Sequence, residues 1–189
     1  IPKRDWSSDV CSSDLPKDPV KAQRPEDELK EFILQPGYRM ELLLSDPLIQ
    51  EPTAVAFDGN GRMFVLEDRG YMKTINADHQ RDPIGRISLH EDTKGNGQYD
   101  KHTVFVDNLI FPRYVTPFGP NSILTIETDG DDVWKYTDTN NDGVADKKEL
   151  FTTGAGQSGK VEHQESFLMI AMDNWMYSTV KSFRSEEHT

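Results

Sequence analysis

Cysteine is almost missing from this chain: Cys11 is the single one in 189 residues. One thiol leaves no intrachain disulfide, no cysteine zinc site and no Cys-x-x-Cys-His attachment for haem. Even Cys11 lies in a segment set apart from the rest. The DNA string AGATCGGAAGAGCACACGTC encodes Arg184 to Thr189, and its reverse complement encodes Asp9 to Asp14 and begins Leu15. The two ends are inverted copies of one sequence that resembles a sequencing adapter, and Arg4 to Ser8 reads as more of it. Residues 4–15 and 185–189 therefore carry no expectation about the fold, any more than an expression scar would.

Positive charge is also short. Lys and Arg number 21 against 33 Asp and Glu, a formal net charge of −12, and the two ends carry only −1 each. A surface of that sign repels phosphate backbones, so no nucleic-acid partner is expected. No run approaches the roughly 20 apolar residues that cross a bilayer, which leaves membrane association to regions outside this sequence. Long helical periodicity is missing, and so are G-x-S-x-G and H-E-x-x-H motifs.

What is there is a series of short strands and tight turns. Pro25-Glu26-Asp27-Glu28 opens a short helix, with proline at a tolerated first position and acids at the positive dipole end; Leu29, Phe32 and Ile33 give it an apolar face and Pro36-Gly37 stops it. Strands are expected at Tyr38–Leu44, Thr53–Phe57, Met63–Leu66, Arg86–His90, Thr103–Val106, Ser122–Glu127, Val133–Thr137, Glu149–Thr152, Phe167–Met172 and Met176–Val180. Asp58-Gly59-Asn60-Gly61 is a strong hairpin signal. Ala56-Phe57-Asp58-Gly59 is echoed by Ala171-Met172-Asp173-Asn174, with Pro117-Phe118-Gly119-Pro120-Asn121 in an equivalent place between them, and an acidic loop closes each unit. That is the rhythm of four-stranded propeller blades. The expected fold is all-β: an incomplete β-propeller of about two blades plus the start of a third, preceded by the short helix. Residues 1–15 and 184–189 read as adapter-derived, 16–37 as lead-in and helix, and 38–183 as the partial propeller.

The two acidic loops share one frame. In DTNNDGVADKKE, residues 138–149, Asp138, Asn140 and Asp142 hold calcium-loop positions 1, 3 and 5, Gly143 the sharp turn, Val144 the carbonyl ligand, Asp146 position 9 and Glu149 position 12. The competing reading is a solvated polar turn. The β-branched and aromatic flank Val133 to Thr137 argues for a hairpin tip over a helix–loop–helix sensor, which would send Glu149 along the outgoing strand. In the first loop Asp92, Asn96, Gly97 and Asp100 fit, but Lys94 sits at position 3 and Thr103 at position 12, so that loop is expected to keep the backbone shape without metal.

Gly154 to Lys160 fills seven positions of a phosphate-binding P-loop, yet Val161 stands where Ser or Thr would hold magnesium, and an inter-blade loop is the better reading. His163, just before the third unit's first strand, is either a proton acceptor facing a central channel or a histidine hydrogen-bonded between blades. Glu67 and Arg69 either line the same rim or form a surface ion pair.

An ordered set of residues carries a family resemblance: Asp46-Pro47-Leu48 with Pro52, Glu67-Asp68-Arg69-Gly70-Tyr71, Gly85-Arg86-Ile87 leading into Glu91-Asp92-Thr93, Thr103-Val104-Phe105, Phe111-Pro112, His163-Gln164 with Leu168, and Asp173 to Tyr177. Over roughly Glu26 to Phe183 the chain resembles large secreted bacterial proteins described as membrane-bound dehydrogenases, whose propeller is similar to that of soluble quinoprotein glucose and sorbosone dehydrogenases. The resemblance implies a six-bladed parent, a secreted or periplasmic location, and a haem-bearing domain only downstream, outside this sequence. It implies oxidation of a sugar or other alcohol by pyrroloquinoline quinone (PQQ), with His163 as base and Glu67, Arg69 and Gln164 at the cofactor. Ser166-Phe167 and Ile170 depart from the family's usual Asn-Gly and Trp. The alternative is a non-catalytic propeller that binds glycans or partner proteins.

Overall fold

A computed structural model describes residues 21–154, 164 and 168–178. The chain divides into two compact units, Ile1–Leu42 and Leu43–Thr189. In the first, helix α1 (Pro25–Glu28) is a single turn continued by a 3-10 turn, Leu29–Glu31. Proline stands at its start and three acids fill the first turn, as the dipole favours. The helix is too short to carry the expected apolar face: Phe32 and Ile33 follow it and are exposed.

The second unit is antiparallel β throughout its described elements. Strands β1 (Pro52–Phe57), β2 (Met63–Glu67), β3 (Gly85–Glu91) and β4 (Lys101–Leu109) form one sheet in chain order. A second, also in chain order, comprises β5 (Thr116–Pro117), β6 (Ser122–Thr125), β7 (Val133–Thr137) and β8 (Lys147–Thr152). A third hairpin pairs β9 (Leu168–Ile170) with β10 (Met176–Ser178). Among the described residues none of the sheets closes on itself. Among the described residues no helix is long and apolar enough to cross a membrane.

Strand alternation explains the stacking. Ile123 and Leu124 are neighbours in β6 and point to opposite faces. Ile123 joins Phe64, Leu66, Ile87, Leu89 and Phe105 of the first sheet, while Leu124 joins Ile126 and Val133 in a cluster that takes in Leu168 and Met176. Sheet two is thus packed on both faces, and Phe64 meets Phe105 edge to face at 5.2 Å.

Most expected strands form, with ends shifted by a few residues. The exception is Tyr38–Leu44, which has the composition of a strand but forms none. Tyr38, Met40 and Leu43 are exposed, and the segment lies in no described ladder; without a partner, a strand's backbone groups gain nothing over water. β6 ends at Thr125, two residues short of expectation, and Glu127 makes only an isolated bridge to Pro112.

Candidate functional site

The acidic loops join the third strand to the fourth in both sheets, and several of their hydrogen bonds correspond. Asp92 accepts from Gly97 N at 2.7 Å and Asn96 N at 3.2 Å; Asp138 accepts from Gly143 N at 2.8 Å and Asp142 N at 3.3 Å. Thr93 Oγ1 donates to Asp100 at 2.9 Å and Thr139 Oγ1 to Asp146 at 2.8 Å. Each loop is therefore shaped by its own first and ninth carboxylates, in the manner of an Asx-turn.

They differ in charge balance. Lys94 reaches Asp100 at 2.7 Å, and that ammonium holds the Asp100 carboxyl well below the usual range. Loop one carries its own cation. In loop two, Asp138, Asp142 and Asp146 make no ion pair among the described residues, and Asn140 bonds Asp142 at 3.0 Å. Among the described residues no three Asp, Glu, His or Cys side chains converge in a way that could hold a metal ion. Glu149, the position-12 acid, lies on strand β8, is exposed, and pairs with Lys147 at 2.9 Å.

The end of β2 carries Glu67-Asp68-Arg69. Glu67 is fully enclosed: its Oε2 accepts from Arg86 Nη2 at 2.8 Å and Gln50 N at 2.7 Å, and its Oε1 from Ser88 Oγ at 2.7 Å. Ser88 Oγ lies 2.9 Å from His90 Nε2, and His90 Nδ1 lies 2.8 Å from His102 Nδ1. Hydrogen counting fixes the direction of this chain. Ser88 gives its one hydrogen to Glu67, so His90 must donate from Nε2. The bare Nδ1 of His90 then accepts from the Nδ1–H of His102. Burial, reinforced by His102, lowers His90 to about 4.

Asp68 bonds Thr53 Oγ1 through Oδ2 at 3.0 Å, while its Oδ1 is buried with no hydrogen-bond partner among the described residues. Burial pushes its carboxyl up to about 6, against the pull of Thr53 and of the nearby Arg113. Arg113, at the entry to sheet two, donates to the Gln164 carbonyl at 3.1 Å. Gln164, just before the third hairpin, clasps Asp129: its Oε1 accepts from Asp129 N at 2.7 Å and its Nε2 donates to Asp129 Oδ1 at 2.6 Å. Arg81 of the first sheet's β2–β3 connection also binds Asp129, at 2.6 Å. Polar groups from connections beside all three sheets meet here.

Of the residues expected at a cofactor, Glu67 and Arg69 do not pair with each other. Glu67 pairs with Arg86, and Arg69 reaches Asp107 at 3.5 Å and donates to Ile84 O at 2.8 Å. Arg69 lines an open cleft of about 720 Å³ with Asp46, Gln50, Glu51, Lys73 and Ile84; Lys73 there pairs with Glu51. His163 lies outside the described residues. The reading from sequence missed Arg86, Ser88, His90, His102 and Arg113. The signal was available in Arg86-Ile87-Ser88-Leu89-His90, where polar residues alternate with apolar ones in a strand that is covered on both faces.

The chain belongs to the family described as Domain of unknown function (DUF7133), which matches residues 24–188. No curated protein matches it.

Proposed function

We propose that the stacked sheets are blades of a six-bladed propeller from a secreted, quinoprotein-like dehydrogenase that oxidises a sugar or other alcohol. The observation that supports this best is the link from Asp68 through Arg113 to Gln164, which lie in connections beside three successive sheets. A stack of blades brings consecutive strand entries to one rim, and ligands of propellers gather there. Asp68 is suited to such a rim because a buried carboxyl with one bare oxygen can hold or release a proton near neutral pH.

The fit of the residues to PQQ is partial. A tricarboxylated quinone calls for cations, and Arg69 on the cleft and Arg113 on the rim supply them. Glu67 is enclosed by Arg86, Ser88 and Gln50 and so fixes the wall without touching a ligand; Gln164 holds Asp129 with its amide. When bound, the quinone would supply the hydride acceptor. His163 is the proposed base that takes the alcohol proton.

Calcium is proposed for loop two, where Asp138, Asn140, Asp142, Asp146 and the Val144 carbonyl present oxygens and no side-chain cation among the described residues pairs with them. The fit asks Asp142 and Asp146 to turn from Asn140 and Thr139 toward a common ion, and Glu149 contributes nothing.

The test is a quinone titration of the whole six-bladed protein that this reading proposes, followed by tryptophan fluorescence, with Arg113→Ala as control. Saturable quenching that weakens at least tenfold in the variant is expected. No quenching would instead favour the non-catalytic reading, a propeller that binds glycans or partner proteins and turns nothing over.

A further inference from the structure

Loop two is seated against a neighbouring strand, and loop one is not. The Gly143 carbonyl accepts from Thr103 Oγ1 at 2.9 Å, and Ala145 N donates to Phe105 O at 2.9 Å. The outer strand of sheet one is therefore gripped by the loop of sheet two, and Gly143 is buried in the grip. The common frame puts Gly97 and Tyr99 of loop one in the places of Gly143 and Ala145. Among the described residues the Gly97 carbonyl and the Tyr99 amide make no hydrogen bond, and Gly97 is exposed.

The equivalence extends into the sheets. The pair Met63↔His90 corresponds to Ile123↔Tyr136, so Phe57, opposite Met63, corresponds to Pro117, opposite Ile123. Val55 then stands where sheet two has Val115. Val115 is 7% exposed in the core shared with sheet one, whereas Val55 and Phe57 are 53% and 56% exposed. Met63 and His90 on the same side are already covered, whereas Val104 of β4 is 36% exposed there, so the open surface of that face lies at the β1 edge, at loop one and at Val104.

We propose that loop one, with Val55 and Phe57, is a docking site for the outer strand of a further four-stranded sheet, gripped as β4 is gripped by loop two. This rests on the blade reading above. The partner strand needs a hydroxyl to donate to the Gly97 carbonyl and a free backbone carbonyl two residues later for the Tyr99 amide. A second copy of this chain does not offer that strand. Its β4 is already held by its own loop two. Its β8, aligned through Leu89↔Thr103 and Lys135↔Glu149, places Glu149 where β4 has Thr103, setting an acceptor against an acceptor.

A labelled peptide of residues 101–109, the β4 sequence, tests this by fluorescence anisotropy against the whole chain. Saturable binding is expected. Thr103→Val in the peptide removes one hydrogen bond and should weaken binding roughly two- to tenfold; the peptide of residues 147–152 should not bind. Gly97→Ala in the protein should abolish binding, because the matching carbon in loop two would sit 2.7 Å from the threonine oxygen. Phe57→Ser, at an exposed position that leaves the loop intact, should also weaken it. Failure of the β4 peptide to bind overturns the proposal. So does undiminished binding to both protein variants, or dimerisation of the chain that the peptide competes away. Peptide binding without quinone binding would keep this inference and reject the catalytic reading; the reverse result would do the opposite.

Discussion

The joint between the first two sheets turns on one glycine, and Gly143→Ala measures it. Gly143 has φ +92° and Gly97, its counterpart, φ +84°. Placing alanine at either position costs about 1–2 kcal/mol for the left-handed backbone. The surroundings separate them: a carbon on Gly97 meets nothing within 4 Å, whereas one on Gly143 falls 2.7 Å from Thr103 Oγ1 and 3.1 Å from its Cγ2. Relief of that clash forces the loop off β4, with loss of the Thr103–Gly143 and Ala145–Phe105 hydrogen bonds at about 0.5–1.5 kcal/mol each. Gly143→Ala should therefore destabilise the joint by about 2–5 kcal/mol in all, and Gly97→Ala by only about 1–2 kcal/mol. Native-state hydrogen exchange at the Ala145 amide reads the joint locally and needs no global unfolding transition. In a Thr103→Ala background the two closest contacts are removed and only the Cβ of residue 103, at 3.3 Å, remains, so Gly143→Ala should cost little beyond the backbone strain. Equal effects of the two glycine variants on Ala145 exchange would refute the reasoning.

Acid stability should be nearly flat between pH 4 and 6, because two buried groups oppose each other. Asp68 is raised to about 6 and binds a proton in the folded state that the unfolded chain has released, so its contribution falls as pH rises toward 6; His90, lowered to about 4, loses stability as pH falls from 6.5 toward 4. Asp68→Asn should unmask the histidine, giving a protein that weakens progressively on acidification from pH 6.5 in urea titrations; an unchanged profile would count against both assignments. Ser88→Ala leaves Glu67 Oε1 and His90 Nε2 without their partner and should cost about 2–3 kcal/mol in chemical denaturation; a loss under about 0.5 kcal/mol would show that the relay is not a structural element. Calcium at a hundredfold excess over its dissociation constant should stabilise the chain by about 2.7 kcal/mol, and Asp142→Ala should remove the effect in calorimetry, whereas Lys94→Ala in loop one should not.

The sequence by itself determined the features that depend on near neighbours. Strand periodicity, the Asp58-to-Gly61 turn and the two acidic frames are each written within a dozen residues, because side-chain alternation and carboxylate-to-amide bonds act over that range. The repeat of the frame also showed that the sheets would come in equivalent sets of four. Tyr38–Leu44 shows where this stops: its composition suits a strand, but a strand exists only when another supplies its hydrogen bonds. Tertiary structure alone decided the rest. Thr103, which ends the first frame where a calcium loop would have its last acid, turns instead to Gly143, forty residues away. Glu67, expected beside Arg69, is enclosed and lies at the end of a chain through Ser88 and His90 to the half-buried His102. Both outcomes come from stacking one sheet on the next, which chooses the face that is dry and therefore which polar groups must find each other.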